Sequence, residues 1–225
     1  SFFRYLEYKV PACLEQALRV RALPMKKTDK ALIDYLTRDE MNALLAAPDC
    51  TTVAGLRDRA MLHLTYAAGL RVSELLALQM GDFSDRSLST VRVLGKGRRE
   101  RVLPLWKETQ TVLRTWIAVR PSVQVQELFV NREGRPLSRD GFAHRLAVHV
   151  AAAARKKPAL AEKRVTPHVL RHSCAMHTLE ATGDIRKVSL WLGHASLQST
   201  EAYLRVDPAE KLAILAANAA PAVPK

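Results

Sequence analysis

The chain has 225 residues, 48% of them hydrophobic, which is enough for one sizeable core or for a main domain with a fragment of a second. Its 35 Lys and Arg residues against 22 Asp and Glu residues leave a formal net charge of +13. This surplus favours a polyanionic partner, most often nucleic acid, over a merely solvated basic surface.

The cysteines and the hydropathy pattern indicate a cytoplasmic protein. Cys13, Cys50 and Cys174 form no CxxC pair, so neither a zinc ribbon nor a disulfide framework is predicted. No apolar run is long enough to span a bilayer, and no signal peptide is visible. The chain starts at Ser1, and we expect a further N-terminal part to precede it.

The first 36 residues are expected to lie outside the main domain. Residues 1–20 are predicted to form a short helix, a break at Pro11 and another helical turn, with too many aromatic residues for a free tail. We therefore expect them to be the remnant of an N-terminal domain. Residues 21–36 carry a proline and a Lys-Lys pair without clear periodicity, which indicates a basic linker. The main domain then extends over residues 37–225.

Helical patterns dominate this main domain. Thr37, followed three residues later by Glu40, predicts a capping box. Apolar residues then repeat at three or four residues from Thr52 to Gly69, and a short helix follows the glycine. Thr166-Pro167 is typical of a helix start. Further helices are predicted at residues 106–119, 139–154, 166–183, 184–192, 199–204 and about 208–219.

One segment has the two-residue period of β-structure. The run 90–94 and the run Glu100–Pro104 flank a basic turn at residues 95–99, which predicts a hairpin. A hairpin is only marginally stable alone, so we expect it either to pack on the helices or to join a third strand near Leu128–Val130. The predicted fold class is α+β, mostly α-helical with a small antiparallel three-stranded sheet.

The candidate catalytic side chains are of the types that act on a phosphodiester. Such transfer needs positive charge around the phosphoryl centre, a nucleophile in line and an acid for the leaving oxygen. Metal-dependent enzymes use paired carboxylates, and no such cluster is visible here. Arginine, lysine, histidine and tyrosine are instead gathered, most densely between Thr166 and Tyr203.

Two candidates precede that stretch. Arg71 follows a helix-ending glycine and suits bidentate phosphate contact, and Glu74, one turn on, is placed to orient it; an ordinary surface ion pair is the alternative. Lys96 lies between two glycines at the hairpin tip, where it either reaches a leaving oxygen or only touches phosphates. For the nearby residues Arg98, Arg99 and Arg101, we expect contact with DNA phosphates rather than a part in catalysis.

Three basic groups lie on one predicted helix. His168 and Arg171 share a face near the helix N-terminus, where free N–H groups favour an anion. His168 and His172 also have the spacing of two metal ligands, but Val169 stands where the metalloprotease motif needs Glu. We therefore interpret His172 as a buried, hydrogen-bonded histidine.

His194 and Tyr203 complete the set. Alone, His194 is a loop histidine and Tyr203 a packing tyrosine. A free tyrosine has a pKa near 10 and is a poor nucleophile unless cationic neighbours favour the phenolate or a base accepts its proton. Arg71, Arg171 and the histidines are such neighbours.

Four motifs together resemble the tyrosine recombinases, the phage integrase family. They are GLRVSELLAL around Arg71, GKGRRERVLPL around Lys96, HVLRHS at 168–173 and LGHASLQSTEAYLRV at 192–206, and the match runs from about residue 37 to 208. The resemblance implies the catalytic-domain fold of that family. It also implies double-stranded DNA as the substrate and no metal or nucleotide cofactor.

The resemblance further implies a role for each residue. Tyr203 attacks the scissile phosphate, forming a 3′-phosphotyrosyl link and a free 5′-OH. Arg71 and Arg171 clamp the nonbridging oxygens, with Glu74 in support. Lys96 protonates the leaving oxygen, His168 manages the tyrosine proton, and His194 hydrogen-bonds the phosphate.

It also implies an assembly. Residues 1–20 resemble the last helix of the family's N-terminal core-binding domain, which closes a clamp on DNA. The C-terminal helix, with Leu212, Ile214 and Leu215 on its apolar face, often docks on a neighbouring protomer in a tetramer. Docking on its own domain stays open.

The leading hypothesis is a site-specific DNA recombinase or integrase. A type IB topoisomerase-like relaxing enzyme, a non-catalytic basic DNA-binding protein and a metal hydrolase using His168 and His172 are the alternatives. The sequence does not specify the DNA target, nor whether integration, excision, transposition or chromosome resolution results.

Overall fold

The computed structural model describes residues 2–23, 34–83, 87–95 and 100–193, together with positions 200 and 203. Contacts divide the chain into an N-terminal unit, residues 1–32, and a main unit, residues 33–225. In the N-terminal unit, α1 (Phe2–Lys9) leads through a 3₁₀ turn into α2 (Leu14–Ala22), and an ion pair joins Arg21 to Glu7. The aromatic side chains of α1 are largely exposed within this unit.

The described part of the main unit is helical apart from one hairpin. In chain order its elements are α3 (Arg38–Leu45), α4 (Val53–Ala67), α5 (Val72–Ala77), β1 (Thr90–Leu94), β2 (Glu100–Pro104), α6 (Lys107–Val119), α7 (Arg139–Ala154), α8 (Pro167–Thr182) and α9 (Ile185–Leu192). The predicted helices at 199–204 and 208–219 lie outside the described residues, apart from positions 200 and 203.

Local capping chemistry sets several helix ends. Thr37 Oγ1 accepts a hydrogen bond from the Glu40 amide at 3.3 Å, and Glu40 Oε2 accepts one from the Thr37 amide at 2.7 Å, so the predicted capping box is confirmed. Thr166 caps α8 with Pro167 at the first helical position, as predicted. Gly183, in the left-handed conformation, ends α8.

The sheet differs from the prediction: the described residues contain two paired strands, not three. β1 and β2 pair antiparallel with Val91 opposite Leu103 and Val93 opposite Arg101. The segment predicted as the third strand is buried, but its backbone groups are bound elsewhere: the Leu128 amide donates to Leu78 O, and Trp116 Nε1 donates to Leu128 O. Glu127 and Val130 form only isolated antiparallel bridges, to Gln79 and Pro136, so a third strand near Leu128–Val130 is not confirmed.

The core of the main unit is built around α4, which packs against α6 and α8. Met61 and Leu64 of α4 are fully buried with Trp116 of α6 and Phe129 of the following loop. A second apolar cluster joins α8 and α9 and includes Tyr203, whose ring is only 3% exposed. This packing brings the C-terminal end of α4, the start of α5 and the N-terminal half of α8 together. None of the described helices has the length and apolar content to cross a membrane.

A buried ionic cluster holds α4 to α7. Asp58, 1% exposed, accepts hydrogen bonds from Arg57 Nη2 at 2.8 Å and Arg145 Nε at 2.6 Å, and its Oδ2 lies 2.8 Å from His149 Nε2. Burial by itself raises the pKa of the Asp58 carboxyl, but the hydrogen bond from His149 and the charge of Arg57 outweigh it, and the net shift is downward. The carboxylate is therefore stabilised in its charged form.

We expect Asp58→Asn to lower the free energy of unfolding by about 3–5 kcal/mol at pH 7, because it leaves a buried guanidinium without its counter-charge. A carboxyl with a lowered folded-state pKa stabilises the fold above its unfolded pKa, near 3.9, and loses that contribution as the pH falls through the folded value. The deficit of the variant should therefore shrink below about pH 4. Urea denaturation at pH 7 and at pH 3.5 measures both quantities.

Asp39→Asn is the matched control. Asp39 is on α3, its side chain is 76% exposed, and it pairs with Lys157 at 3.2 Å. Removing such an exposed pair should change stability by less than about 0.5 kcal/mol. Equal losses in the two variants would contradict the assignment of the Asp58 cluster as a buried ionic support.

Candidate active site

The corner between α4 and α5 positions the first arginine. Gly69 has φ +55, and a Cβ there would lie 2.5 Å from Leu192 Cδ2, so the turn requires glycine. Arg71 follows as the N-cap of α5, with its side chain 31% exposed. Its backbone amide donates to Glu74 Oε2 at 2.9 Å and its Nη1 to Glu74 Oε1 at 2.7 Å. The predicted pairing of Arg71 with Glu74 is confirmed.

Glu74 is the hub of the site. Its side chain is 4% exposed and meets three guanidinium groups: Arg71, Arg101 with Nη2 to Oε2 at 2.8 Å, and Arg171 with Nη1 to Oε2 at 3.8 Å. Burial raises the pKa of Glu74, but hydrogen bonds from Arg101 and Arg71 outweigh it and the net shift is downward. One carboxylate among three guanidinium groups leaves a local positive surplus that favours an anion.

Arg171 is the most buried of the three arginines. Its guanidinium donates to the carbonyl of Gly69 and, from Nη2, to the carbonyl of Leu192 at 2.8 Å. These contacts fasten α8 to the α4–α5 corner and to the end of α9. Burial and then the neighbouring charge of Arg71 lower the pKa of Arg171 to about 10, so it remains protonated at neutral pH.

Arg101 is buried, whereas a side chain that contacts DNA is expected to be exposed. Its side chain is only 10% exposed, both of its terminal nitrogens contact Glu74, and its Cδ would lie 2.9 Å from a Cβ added at Gly193. Among the described residues, its Nε has no hydrogen-bond partner. Arg101 thus joins the hairpin to Glu74 and to the turn that ends α9.

The alternation of inward and outward side chains along the hairpin explains why Arg101 is buried. Val91 and Val93 face the core, and Arg101 and Leu103 are opposite them in the register. Residues opposite each other in a ladder share a face, so Arg101 belongs to the inner face of the hairpin. The sequence interpretation grouped it with Arg98 and Arg99 by charge instead.

Tyr203 lies against α8, and its nearest described histidine is not the one expected. The Tyr203 hydroxyl lies 2.9 Å from His172 Nδ1, with the rings 5.7 Å apart. His168, the predicted partner, is exposed one turn earlier, with its ring centroid 6.5 Å from that of His172. His172 is hydrogen-bonded, as predicted, but it is only half-buried, and its partner is the candidate nucleophile.

The surroundings of Tyr203 act on its ionisation in opposite directions. Burial raises the pKa of Tyr203 to about 12, while the charges of Arg171 and Arg71 lower it in part. The phenol is thus neutral at pH 7 and needs a proton acceptor to become a nucleophile.

The structure brings together five of the predicted site residues and leaves others outside its described part. Lys96, Arg98, Arg99 and His194 lie outside the described residues. Their flanks are described: Gly95 and Glu100 frame the hairpin tip, and Gly193 ends α9 in the left-handed conformation. Arg71, Glu74, Arg101, Arg171 and Tyr203 form the assembled set.

This set suits the binding of a phosphoryl group next to a phenol. Guanidinium groups present paired donors that match phosphate oxygens, and the buried carboxylate holds two of them in place. Among the described residues, no group of three or more His, Cys, Asp or Glu side chains is arranged to hold a metal ion. The arrangement combines an anion site with a protonated nucleophile and a neighbouring imidazole.

Comparison with known proteins agrees with this chemistry. A protein of Sinorhizobium fredii, named an integrase/recombinase, is 42% identical over 216 residues, covering 96% of this chain and 65% of the relative. Tyrosine recombinase XerD of Listeria innocua is 36% identical over 212 residues, covering 92% of this chain and 68% of the relative. The chain thus spans about two thirds of the length of these relatives.

Solved structures share the fold. The crystal structure of XerA recombinase has a TM-score of 0.70 at 27% identity, covering 97% of this chain and 76% of that one. The XerH site-specific recombinase bound to its difH substrate has a TM-score of 0.73 at 20% identity, with 96% and 70% covered. The family model described as "Phage integrase family" matches residues 34–210. The chain belongs to the phage integrase family.

Proposed function

We propose that the protein is a site-specific DNA recombinase or integrase that cleaves and rejoins double-stranded DNA through Tyr203. The Tyr203 hydroxyl oxygen bonds to the scissile phosphorus, the bond from phosphorus to the 5′ oxygen breaks, and a 3′-phosphotyrosyl link and a free 5′-OH result. Attack by the 5′-OH of a partner strand reverses these bonds and completes the exchange. The link conserves the phosphodiester bond energy, so religation needs no cofactor.

One observation carries the proposal: the phenol of Tyr203 lies in the same region as two arginines that contact a buried carboxylate. Tyr203 packs against α8 and contacts its His172; Arg171 of the same helix contacts both Gly69 and Glu74, and Glu74 also holds Arg71. Residues as far apart as 71 and 203 are thus assembled at one place. A surface that only grips DNA needs exposed charge, not a buried tyrosine beside a buried arginine.

The remaining roles follow from the family resemblance. Arg71 and Arg171 bind the nonbridging oxygens of the phosphate, and Lys96 donates the proton to the leaving 5′ oxygen. The resemblance gives His168 the tyrosine proton and His194 a hydrogen bond to the phosphate. Arg98 and Arg99 contact the DNA backbone near the hairpin tip, whereas the burial of Arg101 supports a positioning role for it.

The same resemblance supports a domain organisation. We assign residues 1–20 to the N-terminal core-binding domain, 21–36 to a linker and 37–225 to the catalytic domain. The exposed rings of Phe2 and Tyr8, 67% and 78% exposed, support an additional packing partner for α1. A DNA substrate is consistent with action in the cytoplasm.

Covalent trapping tests the activity. The full-length protein is incubated with nicked duplexes tiled across the DNA that flanks its gene, so that the short 5′-OH fragment diffuses away after cleavage. A detergent-resistant adduct with its nucleotide mass on Tyr203 is the expected product. DNA binding without an adduct on any duplex would instead indicate a non-catalytic DNA-binding protein. Relaxation of supercoiled plasmid by monomers without strand exchange would indicate a topoisomerase.

We also propose that the C-terminal helix, with Leu212, Ile214 and Leu215, docks on a neighbouring protomer and joins four copies on DNA. An apolar groove of about 410 Å³ beside α8 and α9 supports this arrangement. Tyr66, Trp106, Leu190 and Trp191 line it, and Leu190 is 80% exposed. An apolar helix face is the kind of partner that such a groove accepts.

Leu190→Glu tests the docking, because it places a charge in the groove. We expect half-site binding to persist while assembly of four protomers on DNA is lost, as measured by light scattering. Arg186→Glu, an exposed change on the same helix but not lining the groove, is the control. Loss of assembly in both variants, or in neither, would contradict docking in this groove.

A further inference from the structure

The contact between His172 and Tyr203 points to a function for a histidine outside the expected set. The Tyr203 hydroxyl and His172 Nδ1 are 2.9 Å apart, which is hydrogen-bond distance. Tyr203 is 3% exposed and His172 is half-buried, so bulk water has little access to this pair. A phenol that attacks phosphorus must lose its proton, and His172 is a base within hydrogen-bond distance of it.

We propose that His172 accepts the Tyr203 proton during cleavage and returns it during religation. This inference rests on the proposed function, since it assigns a further catalytic residue to the same reaction. In the forward step the proton passes from the Tyr203 hydroxyl to His172 Nδ1 as the phenol oxygen bonds to phosphorus. The electron pair of the broken bond leaves with the 5′ oxygen, which takes its own proton from Lys96.

The charges around His172 suit a base that holds the proton only briefly. His168 and Arg171 on the same helix face it, as do Tyr203 and, from the segment before α3, Asp34. Burial lowers the pKa of His172, and the charges of His168 and Arg171 lower it further, against the smaller opposing effect of Asp34. His172 is therefore neutral at pH 7 and free to accept a hydrogen bond at Nδ1.

The same surroundings make the reverse step efficient. An imidazolium beside Arg171 is a stronger acid than a free one, so it readily returns its proton to the tyrosine as that oxygen leaves phosphorus. Strand exchange needs both directions at one site, and a single group with a pKa below neutrality serves both.

His168 lies one turn before His172 on α8. It is exposed in the first turn of α8, and its ring centroid lies 6.5 Å from that of His172. Its place near the free N–H groups of the helix N-terminus suits contact with a DNA phosphate. In this proposal His168 contacts the phosphate, and His172 accepts the Tyr203 proton.

His172→Asn and His172→Ala test the proposal in the full-length protein on the nicked duplex that the wild type cleaves. Asparagine places an amide near the position of Nδ1 and keeps the hydrogen bond, but it cannot take a proton. We expect both variants to form the adduct about 10²–10⁴-fold more slowly in single-turnover measurements, the range typical of general acid–base catalysis. The exposed His144→Asn on α7 is the control and should cleave at the wild-type rate.

Two further readouts separate proton transfer from a structural role. The wild-type rate should fall as the pH drops below the usual histidine range, because His172 becomes protonated, and this dependence should vanish in His172→Asn. A substrate with sulfur in place of the leaving 5′ oxygen needs no acid, so it should restore Lys96→Ala but not His172→Asn. DNA binding and Tm should match the wild type in His172→Asn.

Each other outcome is decisive. Wild-type cleavage by His172→Asn, with or without loss in His172→Ala, would overturn proton acceptance by His172. Rescue of His172→Asn by the sulfur substrate would place His172 on the leaving-group side and overturn it as well. In both cases the wild-type adduct on Tyr203 would still support the recombinase. A wild type that forms no adduct would overturn the proposed function and this inference together.

Discussion

Replacing Tyr203 by phenylalanine is expected to abolish the covalent protein–DNA adduct completely. The substitution removes one oxygen and keeps the ring that fills the cluster between α8 and α9, so the fold should persist. Loss of the hydroxyl also frees His172 from its contact, at a cost of about 1 kcal/mol in stability. Gel electrophoresis in detergent, with DNA binding measured in parallel, separates the two effects.

Tyr8→Phe is the matched control for this experiment. Tyr8 lies on α1, is 78% exposed and has no part in the assembled set. Its variant should form the adduct at the wild-type rate. An adduct that persists in Tyr203→Phe would show that another residue is the nucleophile, and sequencing of the phosphopeptide would identify it.

Much of the fold is encoded in local signals that need no distant partner. The capping box at Thr37 and the proline start of α8 involve residues only one to three apart, so backbone chemistry decides them. The predicted third strand is not confirmed: Leu128–Val130 contains residues that favour β-structure, but the segment makes only isolated bridges. Its backbone groups are bound by Leu78 and Trp116, whose proximity is set by tertiary packing.

The sequence predicted which residues belong to the candidate site, but not all of the contacts between them. Arg71 and Glu74 are one turn apart, so their pairing follows from spacing. The contact between His172 and Tyr203 joins residues 31 positions apart in the chain, so no local pattern predicts it. The burial of Arg101 follows from its position on the inner face of the hairpin, which its charge alone does not indicate.

Glu74 explains why a site for an anion contains a buried carboxylate. Three guanidinium groups packed without a counter-charge would repel one another and pay the full penalty of burial. Glu74 offsets that repulsion, and the exposed part of Arg71 remains for phosphate. The contact between Arg101 and Glu74 also joins β2 of the hairpin to the other two arginines.

Arg171→Lys is expected to lower the rate of adduct formation by about 10³-fold or more while DNA affinity changes little. Lysine keeps the positive charge, so long-range attraction to DNA persists. It cannot reproduce the planar set of donors that contacts Gly69 and Leu192 and leaves others for phosphate. Arginines that stabilise phosphoryl transition states are worth about 10³–10⁵ in rate. Single-turnover cleavage and binding at two salt concentrations measure the two quantities.

Arg132→Lys provides the comparison for that variant. The Arg132 side chain is 93% exposed and only weakly paired with Glu133, so the same change there should alter neither rate nor affinity. Thermal unfolding of Arg171→Lys is measured as well, because its carbonyl contacts also support the α4–α5 corner. If the folded Arg171→Lys protein cleaves at the wild-type rate, charge alone suffices at this position. Arg171 would then be a support for the corner rather than a clamp on the phosphate.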